Sequence, residues 1–424
     1  MANNILNTPS GIGQIPAGNV IIGNGYTGNL STFNGKLFVF DFENTPPEPP
    51  EPEPPDPYNP YNLDENTFRA QFKQGSTPRM GISRQLVNAE QNIWDITFNP
   101  RNVRFEEEDN AHILLKIWGA NTTGINDFRQ LFKNCTELTS VPIFDTSIVR
   151  YMDYMFENCK SLTTIPNFDT SKVTSMEGMF SNCELITTIP FFDTSNVTDM
   201  SYMFSECESL TSIPALNTSN VTEMNYMFSK CISLTTIPLL STSNVTNMYG
   251  MFSNCESLNS IPLLDTSNVT EMNYMFDNCI SLTTIPLLDT SNVTNMFHMF
   301  HGSSIITIPN LNVCNVTDMY GMFEDCHSLT GIPDLNSSNV TNTYEMFFNC
   351  SELKHVPLLE TDSLVIADRM FLSCFNVESG ALALYQQMST QATPPTDHQS
   401  TFTNCGSHTQ TGAAELALIP SDWN

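Results

Sequence analysis

The chain repeats itself. Thr218 to Cys231 reads TSNVTEMNYMFSKC, the words twenty-four residues earlier are TSNVTDMSYMFSEC, and those twenty-four later are TSNVTNMYGMFSNC. The Met-Phe pair marks the period: Met155-Phe156, Met179-Phe180, Met203-Phe204, Met227-Phe228, Met251-Phe252, Met275-Phe276, Met299-Phe300, Met322-Phe323, Met346-Phe347 and Met370-Phe371, with Leu131-Phe132 as a degenerate first copy. One step is a residue short, and the missing residue lies between Ser303 and Pro309. A fixed period of this size describes a solenoid, in which each coil buries its apolar side only against its neighbours. A catalyst needs its reactive groups once, whereas a repeat needs company.

One coil can be read from Cys207. Leu210, Ile213 and Leu216 follow at steps of three, then Val221, Met224, Met227, Phe228 and Cys231. From Val221 the apolar spacing predicts a helix of about three turns, capped by the Thr-Ser-Asn before it. The short Leu-Thr-Ser-Ile segment before Pro214 predicts a brief parallel strand. The expected fold class is therefore an α/β repeat protein, a leucine-rich-repeat-like right-handed solenoid with capping regions and a small β-rich N-terminal module. Eleven coils at roughly 4.8 Å would give a rod of about 50 Å.

The words L-x-x-I-P-x-L-x-T-S-x-V-x-x-M-x-x-M-F-x-x-C resemble the repeats of BspA-type leucine-rich-repeat surface proteins, over about residues 121–374. That resemblance implies a leucine-rich-repeat-like solenoid used in adhesion or other extracellular recognition, and it supplies no catalytic residues.

The ends are organised differently. Residues 1–44 carry Gly23-Asn24-Gly25 and an alternating run in which Phe38, Phe40 and Phe42 share one strand face, which predicts a β-rich anchoring module. Residues 45–62, rich in Pro and Glu, read as a stiff, solvated spacer. Residues 63–120 lose the period but keep Trp94, Ile96, Phe98, Ile113, Leu115 and Ile117, enough to cap the first coil. Residues 375–424, with ALALY and AAELALIPSDW, read as the opposite cap.

Composition excludes some functions. Acidic residues outnumber basic ones 45 to 16, for a net charge of -29, and Lys230 is the only Lys or Arg between Val173 and Leu353. Such a surface repels phosphate, so no nucleic-acid partner is expected. The sequence shows no secretory signal pattern and no run long and apolar enough to insert into a membrane.

Several columns recur with the period. Cysteines stand at 135, 159, 183, 207, 231, 255 and 279, then at 326, 350 and 374, with Ser303 in the gap. They read as a buried thiol ladder; disulfides are the alternative, and the absence of close CxxC pairs argues against zinc. Asn-Val-Thr recurs at Asn196, Asn220, Asn244, Asn268, Asn292, Asn315 and Asn339, matching a glycosylation acceptor that the coil itself would also dictate. Asp145, Asp169, Asp193, Asp265 and Asp289 are replaced elsewhere by Asn217, Ser241, Asn312 and Asn336, an interchange that turn chemistry tolerates, whereas a calcium site would need several carboxylates converging. His298 and His301 lie close together without a nucleophile, and Gly11-Ile12-Gly13 lacks the frame of a nucleotide loop. No enzyme activity, cofactor or metal is expected.

An aromatic residue accompanies each pair. It stands one residue before at Tyr154, Tyr202, Tyr226 and Tyr274, and two before at Tyr249, Phe297, Tyr320 and Tyr344. These positions lie off the apolar stripe. The row reads either as a ligand-binding face for a sugar or protein, or as a surface ladder of self-packed rings. The anchor–spacer–rod layout suggests a non-enzymatic bacteriophage virion component of fibre or decoration type, held by virion proteins through residues 1–44. Its rod would present itself to a host cell-surface protein or glycan. The alternatives are a BspA-like adhesin on the bacterial cell surface and an intracellular protein-interaction scaffold; a homo-oligomer is compatible with each.

Overall fold

The computed structural model describes residues 19–22, 26–33, 36–39, 63–79, 81, 83–99, 103–105 and 111–424. The spacer at 45–62, Gly11-Ile12-Gly13, Gly23-Asn24-Gly25, Phe40 and Phe42 lie outside the described residues. The chain divides into two units, Met1–Tyr58 and Asn59–Asn424. In the first, β1 (Asn19–Ile22), β2 (Tyr26–Phe33) and β3 (Lys36–Val39) form an antiparallel meander, with Ile22 opposite Tyr26 and Phe33 opposite Lys36.

The second unit opens with a four-stranded antiparallel sheet in the order β5-β6-β4-β7, built from β4 (Thr67–Phe72), β5 (Ser83–Asn88), β6 (Ile93–Thr97) and β7 (Leu114–Asn121). Alternation along β4 puts Phe68, Ala70 and Phe72 on a buried face, and Arg69 pairs with Asp95 of β6 at 2.8 Å. The Phe68 ring meets Phe105 at 5.4 Å and Phe132 of the first coil at 6.4 Å, so the sheet covers apolar surface that an open coil would expose to water.

The coils themselves depart from the expected α/β plan. Val221–Cys231 is a series of tight turns with no helix, and Leu210–Ile213 is not a strand. The turns close between Met224 O and Met227 N, Tyr226 O and Ser229 N, and Phe228 O and Cys231 N. Tyr226 (φ 55°) and Lys230 (φ 58°) sit in the left-handed region, which no α-helix can contain. The amides of Met224, Tyr226, Phe228 and Lys230 instead donate to the carbonyls of Asn247, Tyr249, Met251 and Ser253 in the next coil, at 2.7–3.1 Å. The apolar stripe is real, but its cohesion runs between coils.

The expected strand is reduced to single hydrogen bonds, such as Thr211 N to Thr187 O at 3.1 Å, and to one-residue parallel bridges at Ser140–Thr164 and His355–Ser379. A line of one-residue parallel bridges runs elsewhere, from Tyr151 through Ser175, Asp199, Glu223, Asn247, Glu271, Asn295, Asp318 and Asn342 to Ile366. The solenoid is thus a stack of turns. Among the described residues the α-helices are two, α1 (Ala381–Thr390) and α2 (Gln410–Leu416), both beyond the repeats.

The core contains the residues that the spacing marked: Leu210, Ile213, Leu216, Val221, Met224, Met227, Phe228 and Cys231 are all buried. Its axis is a phenylalanine stack. Phe156, Phe180, Phe204, Phe228, Phe252, Phe276 and Phe300 follow one another at centroid separations of 5.5–5.9 Å and interplanar angles of 10° or less. Beside it, the buried cysteines from Cys159 to Cys374 each donate a weak S–H bond to the phenylalanine carbonyl of the coil before, as Cys231 Sγ does to Phe204 O at 3.1 Å. Burial pushes the Cys207 and Cys255 thiols up to about 12, so these cysteines act as small apolar donors.

Polar columns complete the lattice. Asn220 Nδ2 donates to Ser195 O and Asn244 Nδ2 to Ser219 O, both at 2.7 Å; Thr222 Oγ1 donates to Thr198 O and Thr246 Oγ1 to Thr222 O, both at 3.3 Å. Asn-Val-Thr therefore has a structural use in every coil that carries it. Asp169, Asp193 and Asp289 each accept the amide of the serine two residues on, at 3.0 Å, and Asn217 does the same for Ser219 at 3.2 Å. This explains why Asp and Asn interchange there.

The stack also runs past Cys374, where the spacing placed its end. Ile366 bridges to Asp397, the Phe402 ring lies 5.8 Å from Phe371 at 1°, and Gly406 N donates to Cys374 O. Residues 401–405, TFTNC, rebuild the Phe-x-x-Cys corner without its methionine, after an insertion that contains α1. Ala381, Leu384 and Met388 of α1 are buried, and Thr409 caps α2 by accepting the Gly412 amide at 3.0 Å.

Candidate functional site

The aromatic row forms where the turns place it. Tyr154, Tyr202, Tyr226 and Tyr274 occupy the left-handed corner of their coils, at φ 55–58°. In other coils that corner is Gly178, Gly250 or Gly321, also at positive φ. A Cβ on Gly250 would stand 2.6 Å from Tyr226 Cε1, so glycine there makes room for the ring of the preceding coil. The aromatic of the glycine coil then moves one residue earlier, to Tyr249. This accounts for the earlier register at Tyr249 and at Tyr320, beside Gly321; at Phe297 and Tyr344 the corner is His298 or Glu345, also at positive φ.

The rings from Tyr202 to Tyr344 touch in sequence. Tyr202–Tyr226 lies at 5.1 Å, Tyr226–Tyr249 at 5.0 Å, Tyr249–Tyr274 at 5.5 Å, Tyr274–Phe297 at 5.0 Å, Phe297–Tyr320 at 4.7 Å and Tyr320–Tyr344 at 5.1 Å. Tyr154 stands apart, over Gly178, with its hydroxyl donating to Glu177. Each of the eight rings is half-buried. Burial and neighbouring hydroxyls and carboxylates raise the ionisation of Tyr154 and Tyr226, so these phenols stay neutral donors. The row is a self-packed ladder, with only its outer edge free for a ligand.

A second surface was not singled out from the sequence. After each repeat proline comes a residue that points outward, and in consecutive coils it is Leu239, Leu263 and Leu287, exposed by 70%, 63% and 59%. Phe191, Ile143 and Leu358 hold the same place in other coils and are also exposed. The same position carries Asn167, Ala215, Asn310 and Asp334, all exposed. The coil thus does not require an apolar side chain there. The legible signal was this mixture of leucine with Asn and Asp in one column. Beside the ridge, Leu216, Leu239, Leu240, Thr242 and Leu263 line a shallow groove of about 550 Å³, with Asp265 at its edge.

A third cluster arises at the slip in the repeat, where His301, Glu324 and Asp325 bring ligand atoms within 4.8 Å of one another. No metal site was expected from the sequence, since neither the cysteine column nor the Asp column contains these three residues.

Four overlapping stretches, residues 103–189, 184–284, 259–360 and 280–382, match the family described as "Mycoplasma protein of unknown function, DUF285". The chain belongs to this family. Among solved structures it is similar to a leucine-rich repeat protein from Bacteroides ovatus, at 19% identity over 82% of this chain and 93% of that one, with a TM-score of 0.41. A leucine rich cell surface protein from Faecalibacterium prausnitzii matches at 21% identity over 63% and 80%, with a TM-score of 0.37. A leucine-rich repeat protein from Eubacterium ventriosum matches at 16% identity over 73% and 87%, with a TM-score of 0.43. No curated protein matches the chain. Among the described residues no helix is long and apolar enough to cross a membrane.

Proposed function

We propose that the chain is a non-enzymatic recognition protein of the bacterial cell surface, whose solenoid binds a protein or glycan on another surface through the leucine ridge. One observation carries this reading. Leu239, Leu263 and Leu287 are mostly solvent-exposed at a position where the fold accepts Asn, Ala or Asp, so their apolar character serves something other than folding. The acidic surface keeps nucleic acid out of consideration, and the repeat words resemble those of BspA-type surface proteins. A virion role for the same rod, held by virion proteins through residues 1–44, has the anchor–spacer–rod layout alone behind it, so the cell-surface reading is preferred.

The aromatic row supports a second reading, a sugar platform along Tyr202, Tyr226, Tyr249, Tyr274, Phe297, Tyr320 and Tyr344, with Tyr154 as an isolated ring. Its continuity over successive coils favours it, and the mutual packing of its rings weakens it. Both readings are tested by applying the full chain to an array of glycans and extracellular proteins. The variant L239N/L263N/L287N should lose more than about tenfold in binding while Y226A/Y249A/Y274A keeps it, since fully burying an exposed leucine side chain is worth about 1.5–3 kcal/mol. Loss only in the tyrosine variant would select the sugar platform, and unchanged binding in both would refute the two together.

A further inference from the structure

In four successive coils, from Phe180 to Phe252, the residue just after the phenylalanine is a serine: Ser181, Ser205, Ser229 and Ser253. At three successive coils this changes to Asp277, His301 and Glu324, and in the neighbouring column Asp325 follows Gly302. At this same place the cysteine becomes Ser303 and one residue is dropped. Where a chain this regular breaks three of its own rules at one point, the break is the place to look for a ligand.

The geometry there is that of a built site. His301 Nδ1 lies 2.6 Å from Asp277 Oδ1, so the Nδ1–H donates to a carboxylate and Nε2 is left to point at Asp325 Oδ2, 4.0 Å away. His298 stacks on His301 at 4.8 Å, and its Nε2 lies 3.1 Å from Glu324 Oε2; that nitrogen is buried and makes no hydrogen bond. Gly321 admits the His298 ring, since a Cβ there would lie 2.2 Å from His298 Cδ2. The side chains of His301, Glu324 and Asp277 are 25% exposed or less. Three carboxylates thus converge in half-buried surroundings, and no Lys or Arg stands anywhere between Lys230 and Leu353 to balance them.

We propose that His301, Glu324 and Asp325 bind a divalent transition-metal ion of the zinc and cobalt class, with Asp277 as the positioning residue for His301. Imidazole nitrogen with carboxylate oxygens suits such ions at metal–ligand distances of about 2.0–2.2 Å, which places ligand atoms roughly 3–3.5 Å apart, so the three groups, now within 4.8 Å of one another, must draw together by up to about 1–2 Å to close on an ion. The Asp277 contact is the carboxylate–imidazole pairing that fixes the tautomer and orientation of a metal-binding histidine. His298 Nε2 lies beside the site, 3.1 Å from Glu324 Oε2.

The test is a titration of the chelator-stripped full chain with Co²⁺, read by visible absorption, and with Zn²⁺ in equilibrium dialysis. One ion per chain is expected, with the weak bands of nitrogen and oxygen ligation and no intense thiolate charge-transfer band. The variants H301S, E324S and D325N use residues that these columns already carry in Ser253 and Asn349, so each keeps a residue type the coil accepts. Each should weaken binding more than tenfold, and D277N should do so by about 10- to 100-fold. Substituting the exposed His327 or His355 by Ala should change nothing. Absence of saturable binding, equal affinity in D325N and the parent chain, a thiolate band, or tighter binding of Ca²⁺ than of Co²⁺ would each overturn the assignment.

Discussion

Phe228→Ala removes one ring from the middle of the phenylalanine stack. Phe228 is fully buried, lies 5.7 Å from both Phe204 and Phe252, and its backbone holds the next coil through Met251. Deleting a ring from such a site costs about 3–5 kcal/mol, because the transfer energy is lost and the neighbours on either side cannot close the gap. Each coil contacts mainly its neighbours, so the loss stays local and weakens the coupling between the two halves of the stack. Urea denaturation should show the stability loss together with a broadened or split transition. Hydrogen exchange read by mass spectrometry should rise over residues 200–260 and leave coils near Phe156 and Phe347 protected. As a control, Phe191→Ala, at a ring 64% exposed, should stay within about 0.5 kcal/mol of the parent. A loss below about 1 kcal/mol for Phe228→Ala, or exchange that rises evenly along the rod, would refute a nearest-neighbour stack.

Three further predictions follow from the columns. The L239N/L263N/L287N variant should unfold within about 1 kcal/mol of the parent while losing its ligand, since Asn167 and Asn310 already occupy that position; thermal denaturation beside the binding array checks both halves. In the native chain a disulfide-exchange reagent should label Cys314 first and leave the other thiols slow until urea is added, because the rest are buried and burial pushes Cys207 and Cys326 up to about 12; rapid labelling of several thiols would contradict the burial. Hydrogen bonds from Ser147, Ser171, Ser195, Ser267 and Ser291 hold Asp145, Asp169, Asp193, Asp265 and Asp289 below the usual carboxylate range. Their contribution is present above the unfolded value of about 4 and is lost as pH falls through the lowered folded values, so stability should drop in that window, and replacing all five by Asn should flatten that limb of a pH titration of unfolding.

What could be read in the sequence was the periodicity and the inside of each coil. Leu210, Val221, Met227, Phe228 and Cys231 recur because a solenoid repeats its environment, and each is buried. The backbone was misread for a specific reason. A stripe at i, i+3, i+6 and i+7 suits a helix, but successive tight turns also return side chains to one side, and hydrophobic spacing alone cannot separate the two. The distinguishing sign was present. Gly178, Gly250 and Gly321 share a column with Tyr154, Tyr226 and His298, and glycine recurring in one column signals positive φ, which excludes a helix. Asn158, Asn182, Asn254 and Asn278 mark the second left-handed corner in the same way.

The candidate surfaces were legible to different degrees. The tyrosines could be counted, but their packing against one another depends on the register change at Gly250, which is a three-dimensional fact. The leucine ridge went unnoticed because Leu239-Leu240 looks like two core residues in a row, when only Leu240 faces inward. The meeting of His301 with Asp277, Glu324 and Asp325 needed the coils to be stacked before residues from three successive repeats could be seen together. Likewise TFTNC at 401–405 lacked the methionine that marked the other copies, so the final turn of the stack became visible only through its Phe371 contact.

The central claim is that each coil is held by its neighbour rather than by hydrogen bonds within a helix of its own. Scalar coupling across hydrogen bonds, measured by NMR on the deuterated chain, tests it at a named atom. A coupling should connect the Phe228 amide nitrogen to the carbonyl carbon of Met251, its acceptor at 2.9 Å in the next coil. A coupling from Phe228 to Met224, four residues back in the same coil, would be the signature of a helix and would contradict the stack of turns.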